Sequence, residues 1–143
     1  RSEIPGIDSV LNISYDLVHK NGVSVFGNEI YLDLDFRKEF DDFTIDTAKR
    51  IHDMQMPNKT VMDQETELTI PAGYKIGTLP ANLNLQNSML DISITYKQSG
   101  NKLLYHKVLK IKQTLLKKEE FPLWDKQIHE LTEKYKEQVV LTK

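Results

Sequence analysis

Two runs of strict alternation, Met89 to Lys97 and Lys102 to Lys112, face each other across Gln98-Ser99-Gly100-Asn101. Leu90, Ile92, Ile94 and Tyr96 alternate with Asp91, Ser93, Thr95 and Lys97. A period of two marks a half-buried strand, and the polar Gly-containing link predicts an antiparallel hairpin. The same grammar runs upstream. Leu68 and Ile70 oppose Glu67 and Thr69, and Pro71-Ala72-Gly73 then breaks the strand before Tyr74 to Leu79. A chain carrying this pattern builds sheets.

Earlier segments fit. Leu11, Ile13, Tyr15 and Leu17 alternate over Val10 to His19, and Lys20-Asn21-Gly22 reads as a turn into Val23 to Phe26. Gly27-Asn28 marks a bulge or a second turn. Glu29 to Phe36 alternates again, which assigns Asp33 and Asp35 to a solvent face. Arg37 to Lys49 fits no period and reads mostly as loop. Arg50 to Met56 reads as a short strand with His52, Met54 and Met56 on one face, ended by Pro57. Ala81 to Ser88 is a polar loop or irregular edge. The period changes after Lys118: Trp124, Ile128, Leu131 and Tyr135 are one face of a helix over about 122–138, with Pro122 in its first turn. Val139-Val140-Leu141 is a β-prone tail, expected to pair with a sheet edge or to anchor the C-terminus. The expected architecture is one domain over 1–143, mainly β: an antiparallel, immunoglobulin-like β-sandwich with one C-terminal amphipathic α-helix packed on it.

Composition narrows the function. The 143 residues contain no cysteine, which excludes a Cys nucleophile or thiolate metal site within this chain. Net charge is −2, so there is no overall pull toward nucleic acid or a membrane surface. No apolar run reaches the ~20 residues of a membrane span, and no signal peptide opens the chain. Arg1 is not a natural start, so the chain is expected to be a piece of a longer protein.

Candidate chemistry reads as structural at each position. His19, His52, His106 and His129 fall on separate elements at no ligand spacing. Asp33-Leu34-Asp35 lacks the Gly and further ligands of a calcium loop, and Asp41-Asp42 reads as solvated loop. From Ile92 to Lys118 there are seven lysines and no acid, with no Arg for bidentate phosphate or base contacts. That run, Lys97, Lys102, Lys107, Lys110, Lys112, Lys117 and Lys118, reads as a solvated strand edge. Tyr96 and Tyr105 belong to the faces expected to be buried. Trp124 belongs to the helix stripe and reads as core. Asn12-Ile13-Ser14 and Asn58-Lys59-Thr60 match the N-glycan acceptor pattern, which is frequent by chance. No catalytic, cofactor-binding or metal residue is assigned.

Three phrases carry a family likeness: Arg50 through Pro57, Leu68 through Pro80 with its Ile70-Pro71-Ala72-Gly73-Tyr74 core, and Phe121-Pro122-Leu123-Trp124 through Tyr135-Lys136-Glu137-Gln138-Val139-Val140-Leu141-Thr142-Lys143. Together they resemble the C-terminal, DUF3858-type β domain of exported Bacteroidetes proteins. Those proteins also have a DUF3857-type N-terminal domain and a central transglutaminase-like domain. The resemblance implies that the Cys-His-Asp triad of the parent, a cysteine peptidase or transamidase, lies in that central domain. It implies a non-catalytic accessory role for this chain. Its partners would be the upstream domains of the same polypeptide, in the periplasm or at the cell surface. The matching residues are turn and packing elements, Pro71, Gly73 and Pro80, so no site residue carries over. The alternative is a cell-surface module that binds glycan or protein, which would expose Tyr31, Tyr74 or Trp124. An enzyme in its own right is the third reading.

Overall fold

The computed structural model describes residues 13–14, 16, 22–46 and 49–143. Apart from Ile13, Ser14 and Asp16, which belong to no strand, the strand expected over Val10 to His19 and most of its turn, Lys20-Asn21, lie outside the described residues. The strands are β1 (Val23–Phe26), β2 (Glu29–Leu32), β3 (Met54–Gln55), β4 (Thr60–Thr69), β5 (Lys75–Thr78), β6 (Leu83–Gln86), β7 (Leu90–Ser99), β8 (Lys102–Ile111), β9 (Leu115–Leu116) and β10 (Val139–Thr142). The helix α1 runs from Phe121 to Lys134, after a 3-10 turn at Lys118–Glu120.

Two four-stranded antiparallel sheets, in the orders β1-β2-β10-β5 and β4-β8-β7-β6, make up the fold, with β3 and β9 forming a small ribbon. One hydrophobic cluster takes residues from both sheets and from α1: Leu32, Val139 and Leu141; Ile92, Leu103 and Leu109; Trp124, Ile128 and Leu131. The arrangement is sandwich-like, mainly β with one C-terminal helix, as the alternation and the single helical stripe require.

Both tight hairpins turn on the same dipeptide. Gly27-Asn28 links β1 to β2 and Gly100-Asn101 links β7 to β8, with Gly27 and Gly100 each at φ 59°. A positive φ at the first of two central residues matches the twist of flanking strands, and only glycine adopts it without a steric cost.

Several expectations are corrected. β2 stops at Leu32 because the next two acids hydrogen-bond the backbone instead of the ladder. The amide of Asp35 donates to Asp33 Oδ1 at 3.0 Å, and the amide of Arg37 donates to Asp35 Oδ1 at 3.1 Å. The alternation breaks there, so Asp35 is buried and Phe36 is exposed. From Arg50 to Met56 only Met54–Gln55 is strand; Met54 and Met56 are buried, but His52 is exposed. Of the two alternatives for Ala81 to Ser88, loop or edge, the edge is found: it contains β6, an edge strand. The tail pairs with a sheet as expected, but on both sides: β10 lies between β2 and β5 and completes its sheet. The helix ends at Lys134, short of 138. There the bonding tightens, with Lys136 N–H donating to Glu133 O and Glu137 N–H to Lys134 O, and the chain turns into β10.

Candidate functional site

The lysine-rich hairpin is the main revision. β8 is interior to its sheet, between β4 and β7. Its odd-numbered positions Leu103, Tyr105, Lys107, Leu109 and Ile111 all point into the core. Lys107 is therefore not part of a solvated edge; it is 1% exposed. An unpaired buried ammonium is prohibitively costly, so its partners define the chemistry of the region.

Those partners come from the loop after β2 and from the end of α1. Lys107 Nζ donates to both oxygens of Asp35, at 2.9 and 2.8 Å, and to the backbone carbonyl of Arg37. It lies 3.0 Å from Glu39 Oε2, an ion contact rather than an aligned hydrogen bond. At the end of α1, the Tyr135 hydroxyl stands 3.4 Å away and the Tyr135 ring centroid 4.8 Å away. Asp35 is the acceptor hub. It also receives the Tyr105 hydroxyl at 2.7 Å. With its amide turned so that both ends are satisfied, Gln64 on β4 donates to Asp35 Oδ1 at 3.1 Å and accepts from the amide of Phe36 at 3.3 Å. Lys38 extends the network outward, donating to Tyr135 O at 3.1 Å and pairing with Asp33 at 2.7 Å.

Burial first, and the Asp35 carboxylate after it, push the hydroxyls of Tyr105 and Tyr135 far above the ordinary tyrosine value. Burial does the same to Tyr96, whose ring stacks at a tilt against Tyr105 with centroids 5.3 Å apart. All three stay protonated, and the Tyr105 hydroxyl donates to Asp35. The space beside the cluster amounts to about 10 Å³, room for one water. Chemically the cluster pairs the Lys107 ammonium with Asp35 and Glu39 and joins β4, β8, the loop after β2 and the end of α1. Its lysine is saturated, and its acid is occupied on both oxygens.

The other candidates fall apart in space. His52 and His129 are exposed on different elements, and His19 lies outside the described residues. His106 Nε2 and Asp63 Oδ1 are 2.8 Å apart on the outer face of the β4–β8 pair. Among the described residues no group of three or more His, Cys, Asp or Glu side chains is placed to hold a metal ion. No helix among them is long and apolar enough to cross a membrane. Trp124 is 1% exposed, with Phe40 and Phe43 set edge-on to its ring at 5.8 and 6.4 Å. Its indole N–H has no hydrogen-bond partner.

Among the described residues, β1 carries a run of exposed apolar side chains. Val23, Val25 and Phe26 are 53%, 61% and 68% exposed. Val23 and Val25 pair with Leu32 and Ile30 and so lie on the core face of their sheet. On that face Leu32, Val139 and Leu141 are buried, and the cover ends toward β1.

A family model described as a domain of unknown function with solved structure, DUF3858, matches residues 28–141. No curated protein matches the sequence. Among solved structures the fold is similar to part of a protein described as a "putative protease" from Parabacteroides distasonis, with a TM-score of 0.57 at 16% identity. The match covers 66% of this chain and 19% of that one, so the likeness concerns about a fifth of a much longer protein.

Proposed function

The chain belongs to the DUF3858 family, and from that premise we propose that it is a non-catalytic accessory domain of an exported, protease-like or transglutaminase-like protein. It packs beside the catalytic unit, outside the cytoplasm, and contributes no catalytic residue. The observation that carries this reading is β1. The core face of a sheet runs on past the chain's own core, leaving Val23 and Val25 largely bare. Exposed apolar surface continuous with a core face is what an interdomain contact leaves behind when its partner is removed. Two further facts agree. The buried charges Lys107 and Asp35 are consumed in joining β8, the loop after β2 and the end of α1, and the buried Lys134 is paired with Glu137. The matched region is also a minor part of a longer protein.

The second reading, a glycan- or protein-binding module, draws on Phe26 and Tyr31 on the outer face of the same sheet. Their rings meet at 81° with centroids 5.8 Å apart, and the Tyr31 hydroxyl donates to Glu29. Crossed rings offer no common stacking plane, which favours the first reading.

Hydrogen exchange of this chain alone and within the full-length gene product tests it. Amides of Val23 to Leu32 should exchange at least about tenfold more slowly in the longer protein, and Val25→Lys should abolish that difference. Equal exchange in both would refute docking at β1. Peptide hydrolysis or transamidation by the isolated chain would refute the non-catalytic role.

A further inference from the structure

The segment from Leu34 to Ile45 is anchored in the core at both ends, since both residues are buried. Between them it joins no strand. Its own backbone bonds are two local turns, Glu39 N–H to Arg37 O at 3.2 Å and Phe43 N–H to Phe40 O at 3.0 Å. Its first half is fixed by Lys107. Its second half is held on α1 mainly by Phe40 and Phe43 against Trp124.

Two features of the closed arrangement work against it. Phe40 has φ 65°, the left-handed region that a bulky side chain disfavours, and it is the one non-glycine residue with positive φ among the described residues. Trp124 keeps its indole N–H buried with no acceptor. Both penalties vanish if Phe40 and Phe43 lift away: the backbone relaxes and water reaches the indole. The packing of Phe40 and Phe43 against Trp124 and the core cluster opposes this. Clefts of about 240 and 360 Å³ lie on either side of Phe43, so its ring has room to leave.

We propose that residues Phe40 to Thr44, ahead of the core anchor Ile45, form a hinged strap over Trp124. It opens as a unit while Lys107 holds the Asp35 end and the sheets stay folded. Opening exposes an apolar seat on α1 that carries one free hydrogen-bond donor. This device is independent of any accessory role and operates in the chain alone.

The single tryptophan makes the test direct. Solvent exchange of the Trp124 indole proton is followed by NMR with the amides of β8 in the same sample. The indole proton should exchange at least about 100-fold faster than the β8 amides, with little dependence on added urea, because local opening exposes little surface. Phe43→Ala should speed it about tenfold more and leave β8 protection unchanged. Phe40→Asn, which tolerates positive φ, should keep the strap closed better than Phe40→Val, which does not. An indole proton that exchanges only with the β8 amides, at the same rate and urea dependence, would overturn the proposal. Equal indole exchange in the Phe40→Asn and Phe40→Val variants would also remove the strain on which it rests.

Discussion

Replacing Lys107 by Met keeps most of the stem and removes the charge from the buried cluster that joins β8, the loop after β2 and the end of α1. Breaking a buried pair by deleting one partner costs about 3–5 kcal/mol, because the remaining charge is stranded. Here the cost falls at the lower end. Asp35 keeps the Tyr105 hydroxyl and the Arg37 amide as donors. Glu39 sits on a loop with its side chain 13% exposed and can turn outward. Lys107→Met should therefore lose about 3 kcal/mol, a melting point lower by about 6–12 °C for a chain of this size. In the double variant with Asp35→Leu, the two losses should fall short of additivity by at least about 2 kcal/mol, since neither charge is then left alone. Urea unfolding followed by far-UV circular dichroism gives each value. Lys102→Met serves as the control: its pair with Glu67 is about half exposed on both sides, and its loss should stay within about 1 kcal/mol. A Lys107→Met loss below about 1 kcal/mol, or strict additivity in the cycle, would refute the buried-hub account.

Tyr105→Phe removes the hydroxyl that donates to Asp35 and should cost about 1.5–3 kcal/mol by the same unfolding assay. Burial raises the hydroxyls of Tyr96, Tyr105 and Tyr135 in the folded state, so the unfolded chain releases protons that the folded one retains. That stability is present below the unfolded value of about 10 and is lost as pH rises past it; these three tyrosines should ionise together with alkaline unfolding, read as tyrosinate absorbance against circular dichroism. A Cβ placed on Gly77 would lie 2.5 Å from Thr142 Cγ2 across the β5–β10 pair. Gly77→Ala should thus cost about 1–3 kcal/mol, most of it restored by adding Thr142→Ala. Trp124 emission should be blue-shifted and should not respond to glycans, whereas protection of a quenchable Trp124 by a glycan would favour a binding module.

Much of the local structure was legible in the sequence because it is set by neighbours in the chain. Period two placed the inward rows of β7 and β8, and spacing of four, three and four placed Trp124, Ile128, Leu131 and Tyr135 on the buried side of α1. The Gly-Asn links marked both hairpin turns. Even the site left a trace: Lys107 occupies the inward register among Leu103, Tyr105, Leu109 and Ile111, where a lysine needs a partner. That trace was obscured by six other lysines nearby that suggested an edge.

What the sequence could not decide was which strands neighbour one another. Alternation says which side chains share a face, but not whether a strand is central or at an edge. The tail Val139–Thr142 became an inner strand only because β2 and β5, distant in sequence, leave a gap that it fills. Asp35 left its solvent face because Lys107, 72 residues away, required a carboxylate in the core. Long-range pairing fixes the electrostatic environment of each ionisable group. For that reason the elements could be read locally, while the buried charge cluster and the bare strand β1 came only from the tertiary structure.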